Sequence, residues 1–386
     1  MKPSPEGSER SRCPLCGGEA AALPFPHPNK SMLSDGRTTA RALAKLSCMA
    51  CGAAFHASEI SRQEVSDIYG NEYALTGASP RSDATRARDY SKWIRNECPG
   101  SRAILEIGCG SGALLRDLLD AWPGASGYGI DPALPKADRS DGRIRLERGF
   151  IEDVPQDWRN FDLIVAVNVI EHTPNPGAFL AALQSRLAAD GKIIIVCPLA
   201  DPPNLELLFF DHLYSLTPEA LGFASKATSL VATKQISARR QIGDFQMIVF
   251  GTAHGASGVP QRQDRPFSEL CAKRQLYLEQ WKRLDQTLLD RQKSGGRLVA
   301  FGSGQTAALL RAYAPRTWAR IELIVLDDVN EAWRLGPPIA SYSNAVQKLA
   351  RAEVLIATSP HSQMAIGERL RSDGMQPIVW NDLISN

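Results

Sequence analysis

The sequence predicts an α/β chain: a central doubly wound sheet, a cysteine-bearing module before it and a second, smaller α/β domain after it. Three observations carry this reading. Apolar, β-branched strands alternate with amphipathic helices twice, over residues 101–253 and again from 297 onward. Four of the eight cysteines fall in two tight pairs ahead of the first alternation. A small, polar, proline-bearing stretch, GASGVPQRQDRP (Gly255 to Pro266), separates the two alternations as a linker. The expected boundaries are 1–65 for the cysteine module, 66–255 for the first α/β domain, and 267–386 for a linker helix with the second.

Composition narrows the class. The 386 residues allow two to three domains, and 44% hydrophobic with 22% charged residues is a balance that buries a core. A net charge of +2 supplies no bulk field toward nucleic acid or anionic membrane. No apolar run approaches the ~20 residues of a membrane span. The polar start, MKPSPEGSERSR, lacks the apolar segment of a secretory signal. These facts favour a soluble cytoplasmic protein, monomer or homodimer, with neither a nucleic-acid nor a membrane partner.

The first element is CPLCGG (Cys13, Cys16) with CMACG (Cys48, Cys51). Two thiolates two residues apart bind one ion from a tight turn, and the following glycines permit the sharp backbone. Two such knuckles make a tetrahedral sulfur site suited to zinc, structural because four thiolates leave no open position. The competing readings are two disulfides, which a reducing cytosol disfavours, and four unrelated thiols, against which both pairs have knuckle form. The long insert LPFPHPNKSMLSDGRTTA is expected to bulge out. Cys98, Cys109, Cys197 and Cys271 are scattered and read as small buried hydrophobes.

Helical segments follow, from SRQEVSDIYG to ATRARDYSKWIRNECPG. RAILEIGCGSG is then a strand ending in glycines, ALLRDLLDAW a helix, GYGID a strand and FDLIVAVNVIEH a long strand. PGAFLAALQSRLAADG reads as an amphipathic helix and KIIIVCP as a buried strand, before the antiparallel pair ATKQISARR and GDFQMIVFGTAH. In TPEAL, Thr217 is an N-cap and Pro218 the first helical residue. A long helix over about 267–293 places Leu270, Leu276, Trp281, Leu284 and Leu288 on one face. RLVAFGSGQTAALLRAY, IELIVLDDV, EVLIATSP and QPIVWNDLI complete the second α/β unit.

The chemistry gathers at LEIGCGSG, which carries Glu106, Gly108, Gly110 and Gly112. A glycine turn after a first strand serves many nucleotide folds. Asp131, ending the next strand, can accept both hydroxyls of an adenosine ribose, in the crevice where such sheets bind ligands. A nicotinamide or flavin site is the competitor. Against it, Glu106 would repel a pyrophosphate but tolerates a sulfonium or an amino group.

ILEIGCGSG, GYGID, FDLIVAVNVIEHTPNP and LAADGKIIIVCP together resemble the ordered motifs of class I S-adenosylmethionine-dependent methyltransferases, over residues 101–253. The resemblance implies that Glu106, Gly108 and Gly110 face the methionine part of the cofactor and Asp131 the ribose. RGFIEDVP, with Phe150 and Ile151, would flank adenine by apolar contact or backbone hydrogen bonds, since many members have an aspartate where Phe150 stands. Asn168 would close the cofactor floor. The whole chain is similar to the ketosugar C-methyltransferases of deoxysugar biosynthesis, with a four-cysteine N-terminal domain, a central cofactor fold and a smaller Rossmann-like C-terminal domain.

That second resemblance bears on FFDHLY. His212 stands at the family's histidine, Asp211 replaces its glutamate, and Phe209 stands where a tyrosine is expected. Tyr214, Tyr69 or Tyr73 can replace the missing hydroxyl, and Tyr69 and Tyr73 are the sugar-lining tyrosines the resemblance implies. Carbon methylation needs a base to take the proton beside a ketone, and histidine suits it because its ordinary pKa lies near neutrality. His212 is therefore the expected general base, set against a histidine that only packs the loop. His172, in VIEHTPNP, either touches substrate, orients His212 or packs its own loop. The turn FGSGQTAALL (Gly302, Ser303, Gly304) either binds a nucleotide-sugar phosphate or serves packing, and Asp327 and Asp328 are equally open.

The reading that unites these features is a zinc-containing, S-adenosylmethionine-dependent methyltransferase acting on a small polar metabolite, a nucleotide-linked sugar first. Its rivals are an O- or N-methyltransferase on another small molecule, an rRNA-base methyltransferase, and a non-catalytic cofactor-binding scaffold. Near-neutral charge and the lack of an aromatic-interleaved basic stripe count against RNA.

Overall fold

In the computed structural model the described residues are 11–70, 73, 80–134, 142–238, 243–252, 266–292 and 296–384. The expected linker, except Pro266, lies outside them, as do the first ten residues. The chain divides into two units, one of Met1–Ala22, Leu46–Asp201 and Asp211–Cys271, the other of Leu23–Lys45, Pro202–Phe210 and Ala272–Asn386. Among the described residues no helix is long and apolar enough to cross a membrane.

In chain order the strands begin with β1 (Ala20–Ala22), the short ladder β2 (Ser31–Met32) and β3 (Thr38–Thr39), β4 (Lys45–Cys48) and β5 (Ala54–His56). Helices α1 (Arg62–Ile68) and α2 (Pro80–Glu97) follow, then β6 (Ala103–Ile107), α3 (Ala113–Ala121), β7 (Ser126–Asp131), β8 (Ile144–Arg148), β9 (Phe161–Val167), α4 (Pro176–Gln184) and β10 (Leu187–Pro198). After β11 (Tyr214–Ser215) and α5 (Pro218–Ala224), β12 (Leu230–Ser237) and β13 (Phe245–Thr252) end the alternation. The second begins with α6 (Ser268–Arg291), β14 (Leu298–Phe301), α7 (Gln305–Tyr313), α8 (Pro315–Trp318) and β15 (Ile321–Leu326), and closes with β16 (Ile339–Ser341), α9 (Tyr342–Ala345), β17 (Glu353–Ile356), α10 (Pro360–Ser372) and β18 (Gln376–Ile378).

The first unit is built on a seven-stranded sheet in the order β12-β13-β10-β9-β6-β7-β8. β6 to β10 run parallel, while β13 pairs antiparallel with β10 and with β12, so the sheet is mixed rather than wholly parallel. Its core joins Ile104, Leu163 and Val165 of the strands to Leu115 and Leu118 of α3, all buried. Strand order reverses at β6, whose neighbours are β7 and β9, and this opens a crevice at the strands' carboxyl ends. β1, β4, β5 and β11 form a separate four-stranded sheet that carries the cysteine knuckles.

Several element boundaries differ from the sequence expectation. The strand expected to run to His172 stops at Val167, because Asn168 turns into the left-handed region with φ 55° and a short 3-10 turn, Ile170–His172, follows. The helix expected through LAADG ends at Gln184, because Leu187 pairs with Phe161 and begins β10. There, pairing in the sheet overrides the helical periodicity of ALQSRLAADG. On α6, Leu276 is 51% exposed while Tyr277 is buried with Trp281, Leu284 and Leu288. β8 and β16 are strands that the motif reading did not single out.

The second unit holds a five-stranded parallel sheet, β16-β15-β14-β17-β18. The insert between the cysteine pairs, expected to bulge out, belongs to this second unit. Tyr313 on α7 donates its hydroxyl to Leu208 O at 2.7 Å and accepts from Met32 N at 3.3 Å. Gln305 Nε2 donates to Ser34 O at 2.8 Å, and Met32 bridges to Phe209, so Phe209 lies buried in the second unit.

Candidate active site

β6 delivers Glu106 to the glycine turn. Gly108 has φ 73°, and its N–H donates to Ile130 O at 2.8 Å. An added Cβ there would collide with Val169 Cγ2, so only glycine lets the turn approach the end of β9 so closely. Gly110 donates its N–H to Asp131 Oδ2 at 2.9 Å, and Ala133 N donates to Oδ1 at 2.8 Å. Both Asp131 oxygens thus fasten backbone, leaving only their remaining lone pairs for a ligand. Burial raises the Asp131 carboxyl above its ordinary value, and those two hydrogen bonds oppose the rise.

A cavity of about 350 Å³ opens beyond this turn. Glu106, Gly108, Gly110, Asp131, Phe150, Ile151 and Asn168 line it, as do Tyr69, Tyr73 and His172. Gly112 does not: it caps the N-terminus of α3 with φ 78°. Glu106 is 4% exposed, and its Oε2 has no hydrogen-bond partner among the described residues. Burial first, then the nearby Asp131 and Asp83 carboxylates, pushes its carboxyl well above the ordinary range. A buried carboxylate with an unpartnered oxygen, on a residue that lines a cavity, fits a cationic ligand and disfavours a pyrophosphate.

Helix α2 contributes a wall that motif reading missed. Asp83, Arg86, Ala87 and Tyr90 recur at helical spacing on one face and line the cavity. Asp83 Oδ2 accepts from Ser111 Oγ at 2.7 Å, tying α2 to the glycine turn. The signal was present in DATRARDY as a face with charge and a phenol at i, i+3 and i+7 (Asp83, Arg86, Tyr90), but it is shared with any solvated helix.

Two imidazoles meet where His172 lines the cavity. His172 Nδ1 lies 2.7 Å from the main-chain oxygen of Asp211 and 3.8 Å from its Oδ2. His212, 5% exposed, stacks edge-on against His172 with centroids 4.8 Å apart, and does not itself line the cavity. Glu171, missed in the sequence reading, brings a carboxylate oxygen within 4.8 Å of ring nitrogens of both histidines. Tyr69 sets its ring edge-on to His172 at 5.8 Å and tilted on Tyr73 at 4.6 Å. Its buried hydroxyl has no hydrogen-bond partner among the described residues, and burial, then the Asp211 charge, raises the phenol well above its ordinary value. Tyr214, by contrast, points its hydroxyl to Pro174 O at 3.3 Å.

The four knuckle cysteines form a second centre in the first unit. Cys13 Sγ lies 3.7 Å from Cys51 Sγ, and Cys16 Sγ 3.4 Å from Cys48 Sγ. Ligands about 2.3 Å from a tetrahedral zinc stand roughly 3.8 Å apart, so the donor set fits such an ion. Backbone N–H groups of Gly18, Ala50 and Cys51 point at the sulfurs, as they do toward thiolates. Hydrogen bonds from Cys13 and Cys51 shift the Cys48 thiol downward, the direction a metal-binding thiolate needs. Thr217, the N-cap of α5, donates its hydroxyl to Cys51 O at 2.5 Å and accepts from Ala220 N at 3.1 Å.

Residues 82–236 match a family model described as a methyltransferase domain. A ubiquinone biosynthesis O-methyltransferase of Azorhizobium caulinodans is 32% identical over 99 residues, 24% of this chain and 38% of that protein. One of the same name from Bradyrhizobium diazoefficiens is 29% identical over 116 residues, 28% of this chain and 45% of that protein. The chain thus spans less than half the length of these curated relatives. Among solved structures, the 1,6-didemethyltoxoflavin-N1-methyltransferase of Burkholderia thailandensis is 16% identical, with a TM-score of 0.39, over 52% of this chain and 95% of that one.

Proposed function

We propose that this chain, which carries a methyltransferase domain, is a soluble cytoplasmic S-adenosylmethionine-dependent methyltransferase acting on a small polar acceptor, a nucleotide-linked keto sugar first. The observation that carries the cofactor is Glu106, a buried carboxylate with an unpartnered oxygen, set beside Gly108, where an added Cβ would collide with Val169. When bound, the cofactor supplies an electrophilic methyl group on a sulfonium. Glu106 would face its positive charge and Asp131 its ribose. Phe150 and Ile151 would flank the adenine, and Asn168 would close the floor.

At the acceptor end the chain's task is positioning and proton transfer, which together do most of the work in such a displacement. Tyr69 and Tyr73 would contact the acceptor. The histidine pair would take its proton, with His212 the base implied by resemblance. The four cysteines would hold a structural zinc whose folding role is confined to their own sheet.

A second reading has its own support. The curated relatives are named ubiquinone biosynthesis O-methyltransferases, which favours an oxygen acceptor. The experiment is methyl transfer from isotope-labelled S-adenosylmethionine to nucleotide-sugar and phenolic pools, with the methylated atom located by NMR. A new carbon–methyl bond supports the first reading and a methyl ether the second. Failure of both pools to take label, with cofactor bound, would contradict both readings.

A further inference from the structure

The main chain at Asp211 decides which nitrogen of His172 can take a proton. A carbonyl oxygen only accepts, so the Nδ1 that lies 2.7 Å from it carries the hydrogen. The neutral ring therefore presents its lone pair at Nε2. His172 lines the cavity, whereas His212 does not and packs edge-on against His172.

We infer that His172 is the group that accepts the proton of the methyl acceptor, at Nε2, and that Asp211 is the positioning residue that fixes its tautomer. The inference rests on the methyltransferase reading and moves the base from His212 to His172. In the step, the acceptor's O–H or C–H bond breaks and its proton passes to Nε2. The electron pair left on the acceptor forms the new bond to the methyl carbon. The methyl–sulfur bond breaks toward sulfur, leaving a neutral thioether and an imidazolium.

The surroundings suit that cation. Asp211 Oδ2 lies 3.8 Å from Nδ1, and a Glu171 carboxylate oxygen lies within 4.8 Å of a ring nitrogen. Among the described residues, His212 and the phenol of Tyr69, itself packed on Tyr73, also face the ring. Tyr69 is held protonated by burial and keeps an uncommitted hydroxyl on the cavity wall. It can donate to the acceptor oxygen while His172 takes the proton, so the two rings form an acid and base pair on one cavity wall.

Two measurements on the full chain test this. In protein labelled with 15N-histidine, long-range proton–nitrogen spectra near neutral pH should show His172 with hydrogen at Nδ1 and a bare Nε2. Diethyl pyrocarbonate should then modify His172 before His212, located by peptide mass spectrometry. In turnover, His172→Gln should lower kcat by about 100-fold with S-adenosylmethionine affinity unchanged, and His212→Gln by less than tenfold. Glutamine can still donate to the Asp211 carbonyl, so thermal melting separates a lost base from a lost fold. A bare Nδ1 on His172, earlier modification of His212, or full turnover by His172→Gln overturns the inference alone. A wild-type chain that binds no S-adenosylmethionine overturns the reading beneath it.

Discussion

Gly110 donates its main-chain N–H to Asp131 Oδ2 over 2.9 Å, so the carboxylate ending β7 is tied to the turn that follows β6. The two parts expected to contact the cofactor separately are one hydrogen-bonded unit. Asp131→Ala should therefore do two things. It should lower cofactor affinity at least tenfold, and it should destabilise the first unit by about 2–4 kcal/mol, since two hydrogen bonds to a charged group are lost. Asp131→Asn, which keeps one acceptor oxygen, should recover part of the stability. Calorimetry and denaturant titration of the two variants read these effects apart, and unchanged affinity in Asp131→Ala would remove Asp131 from the ribose site.

Glu106 makes cofactor binding a proton-linked event. Its carboxyl is raised in the folded chain, so the folded state holds a proton that the unfolded state has released once pH exceeds the ordinary carboxylate range. Stability is thus fully present below that range and falls as pH rises through the raised value. A bound sulfonium favours the ionised form, so binding should release a proton within this window. Titrations in two buffers of different ionisation enthalpy should show the release, and Glu106→Gln should abolish it. Equal heats in both buffers for the wild type would contradict the assignment.

The cysteine centre yields a stability prediction. Cys48→Ser should release metal and loosen the sheet of β1, β4, β5 and β11, because binding and folding of such modules are linked. Elemental analysis of purified wild-type protein should find one zinc per chain. Protein free of zinc, yet folded in this region, would exclude the centre.

In the second unit Asp285 joins α6 to α8. Its Oδ1 accepts from Thr317 N at 2.9 Å and Thr317 Oγ1 at 2.8 Å, and its Oδ2 from Arg316 Nε at 3.0 Å. Burial tends to raise this carboxyl, but the hydrogen bonds from Thr317 and Arg316 outweigh it and the net shift is downward. Its contribution is present above the ordinary carboxylate range and lost as pH falls through the lowered value. Asp285→Asn should destabilise the chain near neutrality, and the gap to wild type should close in acid. A gap that persists at low pH would assign the loss to packing instead.

The parts legible in the sequence are those whose chemistry is local. The glycine turn, Asp131 at a strand end, the cysteine knuckles and the Thr217 cap each declare themselves within a few residues, because backbone geometry or ligand spacing dictates the residue types. What was not legible depends on partners far along the chain. Nothing in the insert announces that Met32 meets Tyr313. Nothing in the α2 sequence says that its charged face turns to a cavity rather than to water. Asn168 sits at a positive φ inside an apolar, β-branched run whose composition reads as continuous strand, so both the strand end and Glu171 were missed. Leu187 shows sheet pairing overruling helical periodicity, a competition that sequence alone does not decide.

The most direct test of the central claim is a calorimetric titration of S-adenosylmethionine into the full-length wild-type chain, repeated with Glu106→Ala. Saturable one-to-one binding to the wild type is expected, weakened at least tenfold in the variant while its melting temperature does not fall. A wild-type chain that takes up no S-adenosylmethionine, or a Glu106→Ala chain that binds it as tightly, would contradict the claim that this cavity is a cofactor site.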